Sequence, residues 1–539
     1  MRQQPGDHSR LRRTIYAGCV ALGVLALSAR AHFEGRTPWQ DAVAGGALTA
    51  LAAAALYWLG CALLGRVLGA SHPLFAVARQ MVLEGIRRRT ALALACANFA
   101  LIALLLGIMD PSGTVEFRAK NFLTYAMAAT LVTTTALIIL HSSASLSSDF
   151  EERQVYAIFT KPVARAHYLA GKWLGLVAVC ALQLACAGVA IVLGVAVLLA
   201  NPALDAGEAR AVRDALVVVH RVLLPETAVS LEAKITQDLP AALMKAPERF
   251  AGLSPTAQRD LLRSLLLVSW RNVPPGEERH YLFRGVGRDG ITLRFKPQNF
   301  GAALGQKIEL HLELNGRPQR FFAAINEVNL LPIAPEWFDG SDQLLVRMRN
   351  PVPAVDSGTL RSAITLQGRS GIELLEPSGG LAGNLARVLC VYWVQLAFLA
   401  ACGVFGGCFL NFSVTCLLLI VIAGAANSSH YLLSVAAEAP HARATAHSHG
   451  PNDAHDHDAH APGLGERVVG ALESFGLGVA RVLQRYGSLA PAELVVDGRA
   501  LEWRELGEYA LWVGGLWTGC VAAAALALFG RRELARVQV

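Results

Sequence analysis

Residues 90–109 read TALALACANFALIALLLGIM, a run without one charged side chain. The hydrocarbon of a bilayer requires about 20 apolar residues per helix, and this run supplies them. Similar runs lie at roughly 14–29, 42–64, 121–142, 173–199, 386–409, 412–436 and 508–530, in a chain that is 54% hydrophobic and only 17% charged. Lipid leaves backbone polar groups unsatisfied, so such runs must be helices. The alternating pattern of a transmembrane barrel is missing from them. The expected fold is an α-helical polytopic membrane protein of about eight transmembrane helices.

The net charge of +7 comes from basic residues clustered beside the apolar runs. That is the pattern of cytoplasmic membrane anchoring rather than of a nucleic-acid surface. Arg66, Arg79 and Arg87 to Arg89 fall in one polar connection, Arg153, Lys161 and Arg165 in another, and Arg531, Arg532 and Arg536 in the tail. With these inside, the long interruptions 200–385 and 437–507 lie outside. The first run follows Arg10, Arg12 and Arg13 and precedes Ala29-Arg30-Ala31, so it reads either as a span or as a cleavable signal. Both readings put residues 65–89 in the cytoplasm, and an uncleaved first span puts both termini there. The ten cysteines all sit in or at the ends of apolar runs and form no CxxC pair, which makes them small buried hydrophobes.

The interruption 200–385 has two textures, helical over 205–272 and strand-rich over 280–376. Ser254-Pro255 supplies an N-cap and a proline at the first helical position. Ile291, Leu293 and Phe295, then Ile308, Leu310, Leu312 and Leu314, alternate with polar residues, and Asn315-Gly316 supplies a hairpin turn. Further short strands are expected at 343–349, 361–367 and 371–375. The whole reads as an inserted extracytoplasmic α+β domain containing a β-sandwich-like part.

Chemistry is sparse. No GxxxxGK[ST] phosphate loop, HExxH or GxSxG occurs, so the chain binds no nucleotide by a known loop and is not expected to be an enzyme. The spans carry almost no ionisable residue at mid-depth, which argues against proton or ion coupling and for energy supplied from elsewhere. Between the fourth and fifth runs, residues 148–172 begin with Asp149, Glu151 and Glu152, continue through an apolar segment to Lys161-Pro162, and return to the membrane with Arg165 and Lys172. Such a loop suits docking against a soluble partner; a plain solvated loop with positive-inside charge has the same spacing.

The order of these features resembles the ABC exporter permeases of the second type, in particular the branch accompanying nitrous oxide reductase maturation and gliding motility systems. Those proteins carry an acidic coupling helix ending in a Lys-Pro-Val-x-Arg-like turn, followed by Gly-Lys. The matching residues are Glu151, Glu152, Arg153, Lys161, Pro162, Val163, Arg165, Gly171 and Lys172. Residues 75–89, with Arg79, Glu84 and Arg87, are similar to the amphipathic connecting helix before the first core span, and Phe529 to Leu534 to the basic ending after the last. The resemblance covers roughly 75–200 and 385–539. It implies a six-helix permease core to which the hairpin 14–64 and the 200–385 domain are additions, with re-entrant helices within 464–507. It also implies pairing with a second permease, in a homodimer or a heterodimer, ATP and Mg on a separate ATPase chain, and a bacterial inner membrane. An envelope partner for the external domain is a further expectation.

Two side-chain groups carry open alternatives. Thr130, Thr133 and Thr134 either line a transport path or bond back to helix carbonyls. His447, His449, His455, His457 and His460, with neighbouring aspartates, suit weak binding of Zn, Ni or Cu, although their irregular spacing also fits a low-complexity linker. Two other functions therefore stand beside the exporter permease: a metal-ion transporter or sensor built on those histidines, and a non-transporting envelope scaffold.

Overall fold

The computed structural model describes residues 38–69, 72–87, 90–109, 115–151, 160, 163–199, 218–226, 228–250, 255–287, 289–299, 306–338, 342–351, 363–366, 371–426, 485–487, 489 and 491–531. Two compact units emerge, one of membrane helices and one spanning Val218–Gly379. The membrane unit contains α1 (Pro38–Val67), the shorter α2 (Pro73–Arg87), α3 (Thr90–Ile108), α4 (Val115–Glu151) and α5 (Arg165–Leu199). Within it, α1, α3, α4, α5 and two later helices are long and apolar enough to cross a membrane, six among the described residues. The protein is thus a mostly helical, multi-pass membrane protein. The apolar run at 14–29 lies outside the described residues. Of the run at 412–436, residues Phe412–Ala426 form a helix shorter than a full span.

Cross-helix contacts fix the register. Gly194 of α5 lies under the Phe122 ring of α4, and Lys172 of α5 donates to the Ser145 carbonyl of α4, so these helices run antiparallel. The α2 helix is amphipathic. Its Val77, Ala78, Met81 and Val82 are buried, whereas Arg79 points to solvent. It can approach α5 closely because a Cβ at Gly171 would sit 2.7 Å from the Leu74 carbonyl oxygen, and one at Gly175 2.7 Å from that of Ala78. Small residues permit this backbone-to-backbone distance where lipid provides no hydrophobic drive for association.

The Val218–Gly379 unit is antiparallel wherever its pairing is described. It contains β1 (Val218–Leu223), the helices α6 (Ala228–Lys245) and α7 (Pro255–Arg271), β2 (Asn272–Val273), β3 (Glu278–Arg284), β4 (Thr292–Phe295), β5 (Pro297–Gln298), β6 (Lys307–Leu314), β7 (Arg317–Ala324), β8 (Asn329–Pro332), β9 (Gln343–Arg349), β10 (Ile364–Leu366) and β11 (Ile372–Gly380). The sheet orders are β1-β11-β4-β8, β2-β10-β5 and β3-β9-β6-β7. The alternating Ile308, Leu310, Leu312 and Leu314 meet Leu344, Val346 and Met348 in one apolar core. Asn315 and Gly316 take the positive φ values of 45° and 84° that a tight hairpin turn requires. Asn315 also accepts from the Leu345 amide, tying the turn to β9. One expectation is corrected here. The stretch 205–272 is not uniformly helical, because Val218, Val219, Val222 and their neighbours form β1 and pair into the sheet through β11. Their β-branched side chains favour the pleated surface over a helix.

The last described helices return to the membrane unit: α8 (Leu381–Gly407), α9 (Phe412–Ala426), α10 (Pro491–Val496) and α11 (Trp503–Gly530), whose Ala510–Trp517 stretch is a π-helix. Ser142 and Leu146 of α4 lie against Gly403 and Gly407, so α8 runs parallel to α4. Tryptophans staple α8 to α5 in both directions, Trp173 donating to the Ala397 carbonyl and Trp393 to that of Val177. The described residues between 485 and 501 run back along α8, from its middle toward its start. Asn384 near its start donates to the Arg499 carbonyl and accepts from the Leu501 amide, while Gln395 at its middle donates to the Tyr486 carbonyl. Those two anchors are separated by about 16 Å of helix rise.

Gly175→Ala is expected to lower the unfolding temperature of the purified protein, because overpacking against a backbone carbonyl costs about 1–3 kcal/mol and outweighs the better helix propensity of alanine. Gly519→Ala, where a Cβ meets nothing within 4 Å, is the matched control and is expected to leave it unchanged or raise it.

Candidate functional site

The segment between α4 and α5 is bracketed by the charged residues singled out in the sequence, and their placement divides sharply. Glu151 ends α4 and is exposed. Glu152, Arg153, Lys161 and Pro162 lie outside the described residues, as do the side chain of Arg87 and the histidines 447–460. Arg165 begins α5, where its guanidinium donates to the Phe529 carbonyl at 3.2 Å and to the Gly530 carbonyl at 2.6 Å. Both carbonyls lie in the last turn of α11, so Arg165 caps that helix from its neighbour.

Lys172 is where the structure departs most from expectation. Read as a docking residue, it is instead 1% exposed. The glycines on either turn let α2 close over α5, and the ammonium is enclosed between α2 and α4. Its Nζ stands 2.7 Å from Asp149 Oδ2, 3.0 Å from the Ser145 carbonyl and 4.0 Å from Glu84 Oε2. Two of these oxygens lie within hydrogen-bond distance of the ammonium and the third at ion-pair range. Asp149, itself 2% exposed, also accepts from the Tyr168 hydroxyl. The Tyr168 ring stacks on Phe529 with centroids 6.1 Å apart, and Phe150 approaches the same ring at 6.3 Å.

A buried ion pair gains little net stability, since desolvating both charges offsets their attraction, but removing one partner alone is costly. This arrangement therefore holds helix ends in one fixed relation. It links α2 through Glu84, α4 through Asp149 and Ser145, α5 through Tyr168 and Lys172, and α11 through Arg165 and Phe529. Sequence reading missed the roles of Asp149, Tyr168 and Phe529. The available signals were the polar run Ser142-Ser143, Ser145, Ser147-Ser148 leading to Asp149 along an otherwise apolar helix, and Tyr168 and Lys172 spaced i, i+4 on one face.

The threonines settle into a different geometry. Thr130, Thr133 and Thr134 are buried on α4, with hydroxyls donating to the carbonyls of Ala126, Ala129 and Thr130 at 2.6–2.8 Å. Each back-bond satisfies the hydroxyl within its own helix. Among the described residues no group of three or more His, Cys, Asp or Glu side chains is placed to hold a metal ion.

No protein-family model, curated protein or solved structure matches the chain.

Lys172→Met is expected to destabilise the protein by about 3–5 kcal/mol, because it strands a buried carboxylate. Adding Asp149→Leu is expected to restore most of that loss in thermal unfolding followed in nanodiscs. A double variant as unstable as the single one would instead assign the loss to packing.

Proposed function

We propose that the chain is the membrane-spanning permease subunit of an ATP-driven exporter whose ATPase is a separate polypeptide. The observation that carries this reading is the wiring around the α4–α5 segment. Glu151 ends α4 at the near side of that segment, while Arg165, Tyr168 and Lys172 at its far side are bonded into α2, α4 and α11. A partner that pushed on residues 152–164 would move four helices together. An exposed acid at the edge and buried charges behind it are what a transmission point needs. A plain connecting loop would require neither.

In this reading the arginine-rich connections face the cytoplasm and residues 218–379 form an extracytoplasmic insertion in the sequence between core spans. The six-helix core begins at α3, with α1 and the preceding run forming an additional hairpin. Two permease chains pair with two ATPase chains in a bacterial inner membrane, and ATP-driven closure of the ATPases shifts the population between two arrangements of the helix ends. The chemistry of ATP hydrolysis stays on the partner, with its Mg.

Extraction of the tagged full-length protein in mild detergents is expected to recover an ATPase bearing a phosphate-binding loop, identified by mass spectrometry. Glu151→Lys with Glu152→Lys is expected to weaken that recovery at least several-fold. Intact wild-type protein that brings down no ATPase in any of several gentle detergents would turn the assignment toward an envelope scaffold.

A further inference from the structure

The middle of the bundle holds an amide that no described residue satisfies. Gln183 of α5 is 0% exposed, and neither its Oε1 nor its Nε2 has a hydrogen-bond partner. Exchanging the two atoms by rotating the amide changes nothing, since both are unpaired. Asn98 of α3 is equally buried and its Nδ2 is unpaired, while its Oδ1 lies 3.5 Å from the Thr130 hydroxyl of α4. The two lie at similar depth. Phe122 faces Gly194 and Ser145 faces Lys172 across the antiparallel α4–α5 pair, which puts Gln183 opposite residues 133 and 134 of α4, one turn from Thr130.

Amides buried without partners are costly in any core and more so in hydrocarbon, where no solvent can be borrowed. Two of them at one depth, on facing helices, point to a third party. We propose that Asn98, Thr130 and Gln183 form a binding site inside the α3–α4–α5 cluster for a neutral group that both donates and accepts hydrogen bonds. Gln183 offers two N–H donors and a carbonyl acceptor, and Asn98 offers two further donors. A hydroxyl, a carboxamide or a water molecule matches that set. An ion does not, because among the described residues the buried charged side chains are Asp149, Lys172 and Glu373, none of them at this seam, and an unpaired charge at this depth is severely penalised. The ligand chemistry is therefore that of a polyol or amide solute, or of a resident water supplying the same bonds.

Access requires α3, α4 and α5 to part, and α4 is the helix whose far end is held by Lys172 and Asp149. As a place on an export route the site rests on the permease reading; as a binding site it does not. The two are separable, because binding is measured on this chain alone, without an ATPase. A dry seam would leave the coupling assignment standing, and a chain that recruits no ATPase would leave the seam standing.

The test uses full-length wild-type protein in lipid nanodiscs. Radiolytic hydroxyl labelling reads the buried sulfurs of Cys186, one turn from Gln183, and of Met127, one turn from Thr130. Thermal unfolding is followed while acetamide or erythritol is added. A resident water is expected to give labelling at these sulfurs without solute, lost in Gln183→Leu. A solute site is expected to give a saturable rise in unfolding temperature, present in wild type and absent in both Gln183→Leu and Asn98→Leu. The comparison removes the general stabilisation that excluded polyols confer on any protein. Wild-type protein with neither labelling nor a saturable rise overturns the proposal, even where a variant fails to fold. A Gln183→Leu chain that then melts above wild type would identify the seam as dry, unsatisfied core.

Discussion

Helices in hydrocarbon gain nothing by hiding apolar surface from one another, since lipid tails are as apolar as leucine. Close approach and interhelical hydrogen bonds must hold the bundle, and here they converge on the first part of one helix, α5. Gly171 and Gly175 admit the backbone of α2, Trp173 donates to α8, Lys172 reaches α4, and Arg165 caps α11. Four neighbours are therefore set by residues within the first three turns of α5. The glycines beside the lysine bring α2 near enough to bury it, and that desolvation is tolerable only because Asp149, the Ser145 carbonyl and Glu84 surround the ammonium. Packing and electrostatics are not separable here.

What could be read beforehand follows from how local each signal is. A run such as 90–109 declares a helix by itself, because length and apolarity suffice in lipid, and α3 has nearly those bounds. The run at 121–142 understated its helix, since α4 continues to Glu151. Its polar final turns are sheltered by protein rather than lipid, which hydropathy does not register. The same contrast runs through the sheets. β6 and β9 alternate cleanly because one face of each is buried, whereas β7, an edge strand reading Arg-Pro-Gln-Arg-Phe-Phe-Ala-Ala, exposes most of its residues and shows no period of two.

The candidate site was legible as a set of charges and illegible as an arrangement. Glu151, Arg165 and Lys172 stood out from their spacing, but nothing local distinguishes a lysine that reaches a partner from one that α2 covers. Burial of Lys172 is a tertiary fact, produced by residues 74–81 folding onto 171–175. Asp149 was hidden for the same reason. Its carboxylate looked like one more acid at a helix end until Tyr168 and Lys172 were placed beside it.

The buried polar side chains of α4 give this arrangement a direction. They extend from Thr130 at mid-depth through Ser142 and Ser145 to Asp149, along a single uninterrupted helix. A rigid helix transmits axial displacement along its whole length, and a slide of one residue is about 1.5 Å. That would break a 2.7 Å ion pair at one end and change what faces Asn98 and Gln183 at the other. Close-packed interiors resist continuous deformation and favour discrete alternatives. The ionic cluster and the unsatisfied amides are therefore two ends of one element: the first is satisfied in this arrangement and the second is not, so a ligand at the seam and a push at the segment would each bias the same helix.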